Sequence, residues 1–210
     1  MTSKSANKGR LTDRKRAAIM EAAVSELKQN GFDNTSMDRI AEVASVSKRT
    51  VYNHFPSKED LFAAIVDELM SRCQLIEVSD YTPGEPIATQ LSDIGQTAVD
   101  LMASPEFQDL ARVTLSRFLQ SPDLAREMMI DSTQFEAGLI VWLETAHQEG
   151  NLQIPDAQLA AKQFLGLIQS FAFWPPLIGK EAPLTEVQKE QLVESTVSMF
   201  LAQYSCRKRS

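Results

Sequence analysis

Cysteine is nearly missing from this chain of 210 residues: Cys73 and Cys206 are far apart and form no CxxC pair. That spacing argues against a zinc ribbon, a redox motif or a disulfide scaffold, and each reads as a small apolar or tail residue. Histidine is as scarce. With only His54 and His147, a histidine-based metal cluster is not expected, and His147 sits near a predicted helix end, where a cation suits the dipole. Glycine and proline, at 8 and 9 residues, are too few for a turn-rich β fold. No apolar run approaches the roughly 20 residues that span a bilayer. The start, MTSKSANKGRLTDRKR, lacks the apolar core of a secretory signal. A cytoplasmic protein without membrane contact is the expectation. GxxxxGK[ST], HExxH, GxSxG and GxGxxG are all absent, and pairs such as Asp131 with Glu136 read as solvated helix ends. The chain is therefore expected to be no enzyme and to need no metal or cofactor, a helical enzyme being the remote alternative.

What is present is ordinary in amount and uneven in placement. With 43% hydrophobic and 23% charged residues in 23.4 kDa, there is material for one large or two small domains. The net charge of -7 hides an asymmetry. Residues 1 to 55 hold ten Lys/Arg against six Asp/Glu, and the remainder eleven against twenty-two. A basic module fused to an acidic body is what a DNA binder with a separate sensing or assembly part shows. A solvated basic helix has the same charge, so charge alone leaves both readings open.

From Thr12 to Asn30, Ala18, Ile19, Ala22, Ala23 and Leu27 recur at helical spacing, with Thr12 as cap and Gly31 as terminator. NTSMDRIAEVA restarts the helix at Thr35 or Ser36. Only Ser45 and Val46 separate it from SKRTVYNHF, so two short helices joined by a tight turn form a helix-turn-helix. Pro56 ends the second. Ser57 with Asp60 caps a fourth helix, whose apolar side is Leu61, Phe62, Ile65, Val66 and Leu69. Pro83, Gly84 and Pro86 mark the clearest break. Beyond it Ser104-Pro105 and Ser121-Pro122 start helices, Phe135, Leu139, Trp142 and Ala146 form a stripe ending at Gly150, and Thr185 with Gln188 caps the last helix. The pattern predicts an all-α fold of about nine helices. The last two are apolar on more than one face, which either a partner or a larger bundle would satisfy.

The run GFDNTSMDRIAEVASVSKRTVYNHFPSKEDLF, Gly31 to Phe62, resembles the DNA-binding domain of the TetR/AcrR family of transcriptional regulators, through its GF, IA, VSKxTxYxHF and SKEDLF elements. The resemblance covers roughly residues 12 to 70. SPDLAREMM, GNLQIPDAQLAAKQFLGLIQS and the closing helix are similar to the AefR-like C-terminal subgroup. Two departures stand out: Ser45 where the family often has glycine, and Arg49 where many members carry a small residue. The resemblance implies a flexible basic tail over 1–11, a DNA-binding domain over 12–57, a connecting helix over 58–78, and an effector-binding and dimerisation domain over 79–210. It further implies a homodimer joined by the last two helices, whose paired recognition helices read an approximately palindromic double-stranded operator. Half-sites would then lie about one helical turn, roughly 34 Å, apart or somewhat more.

Helical position assigns the roles. Ser47, Lys48, Arg49 and Thr50 occupy the first turn of the recognition helix, with Arg49 the candidate for bidentate contact to guanine. Asn53 follows on an exposed face, and the resemblance makes Tyr52 and His54 phosphate or sugar contacts. Thr35, Ser36 and Lys58 lie at helix N-termini, where a phosphate is favoured. Lys4, Lys8 and Arg10 form either a basic arm on DNA or an unordered tail. The resemblance implies a cavity for a small, largely apolar effector, with Met102, Phe118, Met128, Phe135, Trp142, Phe171 and Trp174 as candidate lining; at helical spacing such residues are equally plain core. The implied mechanism is a repressor whose effector shifts its two DNA-binding domains out of operator spacing, with Phe62 to Glu77 as lever. An activator or a ligand-independent architectural DNA binder are the competing readings.

Overall fold

The computed structural model describes residues 3–74, 80–128, 136–179 and 182–206, with side chains from residue 12 onward except at 74. Eleven helices and no strand occur among the described residues, two more helices than the sequence pattern separates. They divide between two compact units, Met1–Leu69 with Asp109–Ile130, and Met70–Gln108 with Asp131–Ser210. This division differs from the expected boundaries at 57 and 78. Asp109–Ile130, expected in the C-terminal domain, belongs with the helix-turn-helix.

In the first unit, α1 (Ser3–Asn34) runs to a break at Gly31, whose φ of 76° and ψ of 170° leave the helical region. Glycine is the residue that takes this conformation without strain. Thr12 does not cap the helix, because the polar run before it continues the helix back to Ser3. Then come α2 (Met37–Val43), α3 (Lys48–His54) and α4 (Lys58–Gln74). Ile19, Ala23, Ile40, Val51, Leu61 and Ile65 are fully buried or nearly so and form this unit's core. α6 (Pro105–Gln120) and α7 (Pro122–Met128) add to it from Asp109 on. Phe118 stands edge-on to Phe62, which stands edge-on to Phe32, with ring centroids 6.2 and 5.6 Å apart.

In the second unit, α5 (Ile87–Ala103) is central, with α8 (Ala137–Gln148), α9 (Ala157–Ala172), the single turn α10 (Trp174–Leu177) and α11 (Glu186–Tyr204) around it. α5 packs along α11 and α9, and α9 also touches α8. The approach of α5 is close at Gly95: a methyl group there would come within 3.2 Å of Val193 Cγ1 and 3.5 Å of Phe164 Cζ. Thr185 and Gln188 form the expected capping box at α11, and Asp156 caps α9 by accepting from Leu159 N at 2.9 Å. Gln90 ties the Pro-Gly break down: its Nε2 donates to Thr82 O and Glu85 O, and its Oε1 accepts from Thr82 N and Trp142 Nε1.

Candidate DNA-binding surface

The geometry of α2 and α3 is set by local chemistry. Ser36 caps α2 by accepting from Arg39 N, and Ser47 caps α3 by accepting from Thr50 N, each at 3.1 Å. Between them Ser45 takes φ 54°, and Val46 N donates to Ala41 O at 3.0 Å. The left-handed residue allows the chain to turn within the four residues between the helices. Beneath α3, Val51 and Phe55 are buried, and Arg16 lies 5.2 Å from the centre of the Phe55 ring. The helix is thereby anchored by its apolar side and shows its polar side to solvent.

On that polar side Ser47, Lys48, Arg49, Tyr52 and Asn53 are exposed, with Thr50 and His54 half-buried. Thr50 Oγ1 shares a hydrogen bond of 2.8 Å with Ser47 Oγ. Lys48 donates to Asp38 at 2.6 Å, and this hydrogen bond holds its ammonium above the usual lysine pKa. No partner for the Arg49 guanidinium occurs among the described residues. A forked cation with all five donors free, on the first turn of a helix, is equipped to read a guanine edge.

Two residues expected to contact phosphate, Thr35 and Lys58, bond within the protein in this structure. Thr35 is buried, and its hydroxyl donates to Gly31 O at 2.8 Å and Glu26 O at 3.3 Å. Lys58 turns inward, donating to Phe32 O at 2.5 Å and Thr35 O at 2.9 Å, with its ammonium 4.3 Å from the Phe32 ring centre. In these bonds both side chains serve the turn, where Phe32 O also accepts from Thr35 N at 3.3 Å. Ser36 remains at the surface.

The six described candidate lining residues divide between the two units. Met102 and Trp142 lie in the core of the second unit. Phe118 and the half-buried Met128 belong to the first unit, and Phe171 and Trp174 are 56% and 47% exposed. Phe135 lies outside the described residues. The exposed aromatics instead share the second unit's surface with Leu159 on α9 and Met199 on α11, both about half exposed. An open apolar groove of about 450 Å³ runs between these helices, lined by Gly166, Leu167, Met199 and Phe200 among others. A Cβ built on Gly166 would touch nothing within 4 Å.

A short helix pair with a four-residue turn, a buried inner face and an exposed basic and polar outer face defines a helix-turn-helix DNA-binding protein. Residues 19–65 match the family of bacterial regulatory proteins of the tetR type, and residues 89–206 match the AefR-like transcriptional repressor C-terminal domain. The chain belongs to the TetR family of transcriptional regulators. A TetR family regulator of Pseudomonas syringae pv. tomato is 39% identical, with a TM-score of 0.78 over 92% of this chain and 98% of that one. The flavonoid-responsive regulator FrrA is 28% identical, with a TM-score of 0.70 over 93% and 99%. SrpR of Pseudomonas putida is 26% identical over 89% of this chain and 84% of its own length. RutR of Escherichia coli is 38% identical, but over only 30% of each chain. Among the described residues no helix is long and apolar enough to cross a membrane.

Proposed function

We propose that the protein is a repressor that binds a palindromic operator as a homodimer and is released by a small, largely apolar effector. The observation that carries the DNA reading is the free Arg49 guanidinium on the capped first turn of α3, flanked by Ser47, Lys48, Thr50, Tyr52, Asn53 and His54. Ser36 and the N-terminus of α2 supply a phosphate anchor beside it.

Gly166 supports the dimer. A glycine inside a helix costs roughly 0.5–1 kcal/mol against alanine, and nothing within this chain requires it there. A second copy crossing the α9–α11 groove at Gly166 does require it, and covers Leu159, Phe171, Trp174 and Met199. The effector reading draws on the AefR-like domain and on FrrA, which responds to flavonoids. In this chain Met102 and Trp142 are the buried candidates of the second unit, and α4 and α6 each begin in one unit and end in the other. Those two helices are the means by which an effector would shift the spacing of paired recognition helices, provided that it binds one state more tightly.

Selection of bound sequences from a random duplex pool tests the reading. The expected product is an inverted repeat with a guanine in each half-site, bound more weakly as salt rises. An unpaired single site, or no enrichment, would overturn it.

A further inference from the structure

We propose that Arg117 on α6 is a positioning residue for operator binding: it holds Phe32, and through it the 31–36 turn that sets α2 and α3, without touching DNA. The proposal rests on the first unit being the operator-binding body.

The turn is tied through its backbone carbonyls and takes one further support from α6. Gly31 reverses the chain, Thr35 closes onto Gly31 O and Glu26 O, and Lys58 holds Phe32 O and Thr35 O. These ties all come from α1 to α4. The Phe32 ring, in contrast, also receives the Arg117 guanidinium, with Cζ 4.2 Å from its centre. A cation gains from the face of an aromatic ring, and gains more when water is excluded. Arg117 Nε is shielded and finds no acceptor. The Asp33 carboxylate, 3.6 Å from Nη1, is 80% exposed, so that pair is weak. The ring is therefore the main reason for the arginine to lie where it does. Lys28 with Asp109, at 2.6 Å, fixes α1 to the same helix one face away from the turn.

What Arg117 holds leads directly to the reading helices. The 31–36 turn ends at Ser36, the cap of α2, and α2 packs on α3. If Phe32 swings, the α2 N-terminus moves with it, and a shift of an ångström misaligns side chains that must meet base edges. A nonspecific duplex makes no such geometric demand.

The test uses the full chain, the operator obtained by selection, and a random duplex of equal length. Arg117→Met keeps the apolar stem and removes the charge. Operator affinity is expected to fall about tenfold, the size of a lost cation–ring contact. Random-duplex affinity should change less than about twofold, and the salt slope should stay as in the parent. Arg117→Lys, still a cation over the ring, should recover most of the loss. Phe32→Leu, which also takes the ring from Lys58 and Phe62, should cost at least as much, and Arg117→Met should then add little on top, because the arginine acts through that ring. Should Arg117→Met not fold, Arg117→Lys and Phe32→Leu carry the same comparison.

Unchanged operator affinity with a lower melting temperature would make Arg117 a mere stabiliser and overturn the proposal. So would an equal loss on both duplexes with the salt slope reduced by about 0.9, the mark of a lost phosphate contact. A parent protein that prefers no duplex would remove the operator reading itself, whereas a selective parent with an indifferent Arg117→Met removes this proposal alone.

Discussion

The exposed face of α3 and the exposed face shared by α9 and α11 are built on opposite chemistry. On α3, serine, lysine, arginine, tyrosine and asparagine face solvent above a buried Val51 and Phe55. On the later helices, Leu159, Phe171, Trp174 and Met199 face it. A polar face is at home in water, so it can stand uncovered and exchange one partner for another. An apolar face loses free energy for as long as it stays wet, at about 25 cal/mol for each Å². The first suits a reversible contact with DNA, and the second a lasting contact with a second copy. The sharpest way to break this contrast is Gly166→Arg, which puts a charged side chain where the proposed crossing lies and where the chain itself offers no obstruction. The fold should survive, while sedimentation shows a monomer. Operator affinity should fall by about a hundredfold or more, because two linked half-sites gain that much over one. A dimer of parental stability would mean that the groove is not the interface.

Arg49→Ala sharpens the other side of the comparison. Loss of a bidentate guanine contact costs ~1–3 kcal/mol of discrimination, or about 5- to 150-fold in operator affinity. Binding to random duplex should change far less, since one charge among several is removed. A repeat of the sequence selection with this variant should relax one base pair in each half-site. If every position stays equally constrained, Arg49 is only a phosphate contact.

Which features the sequence revealed depends on how far each residue's partner lies along the chain. Ser36 and the Thr185–Gln188 pair, read as caps from the sequence, bond to amides three residues away, as Ser47 and Asp156 also do. Thr35 and Lys58 carry the same local signal of a helix N-terminus. Their partners, Glu26 O and Phe32 O, lie 9 and 26 residues away, and only the fold brings these together. Phe118 shows a second limit. Helical spacing marks it as buried, yet gives no sign that the α6 half bearing it joins the first unit. Phe171 and Trp174 show a third: an apolar stripe reads alike whether its cover is the same chain or another. Thr12 is no cap because α1 continues through SKSANKGR to Ser3 despite Gly9.

The smallest effect concerns Ser45, at the center of the α2–α3 turn. Its φ of 54° is a conformation that costs an L-residue ~1–2 kcal/mol. Glycine adopts it freely but loses more backbone entropy on folding, roughly 0.5–1 kcal/mol. The two terms nearly offset, so Ser45→Gly should stabilise the protein by only about 0.5 kcal/mol, or about 1–2 °C in melting temperature for a chain of this size. Among the described residues Ser45 makes no side-chain bond that glycine would forfeit, and the Val46 N to Ala41 O bond that closes the turn belongs to the backbone. Operator affinity should therefore match the parent within about twofold. A destabilised Ser45→Gly would show that the serine side chain supports the turn, and an altered operator affinity would show that it reaches the DNA.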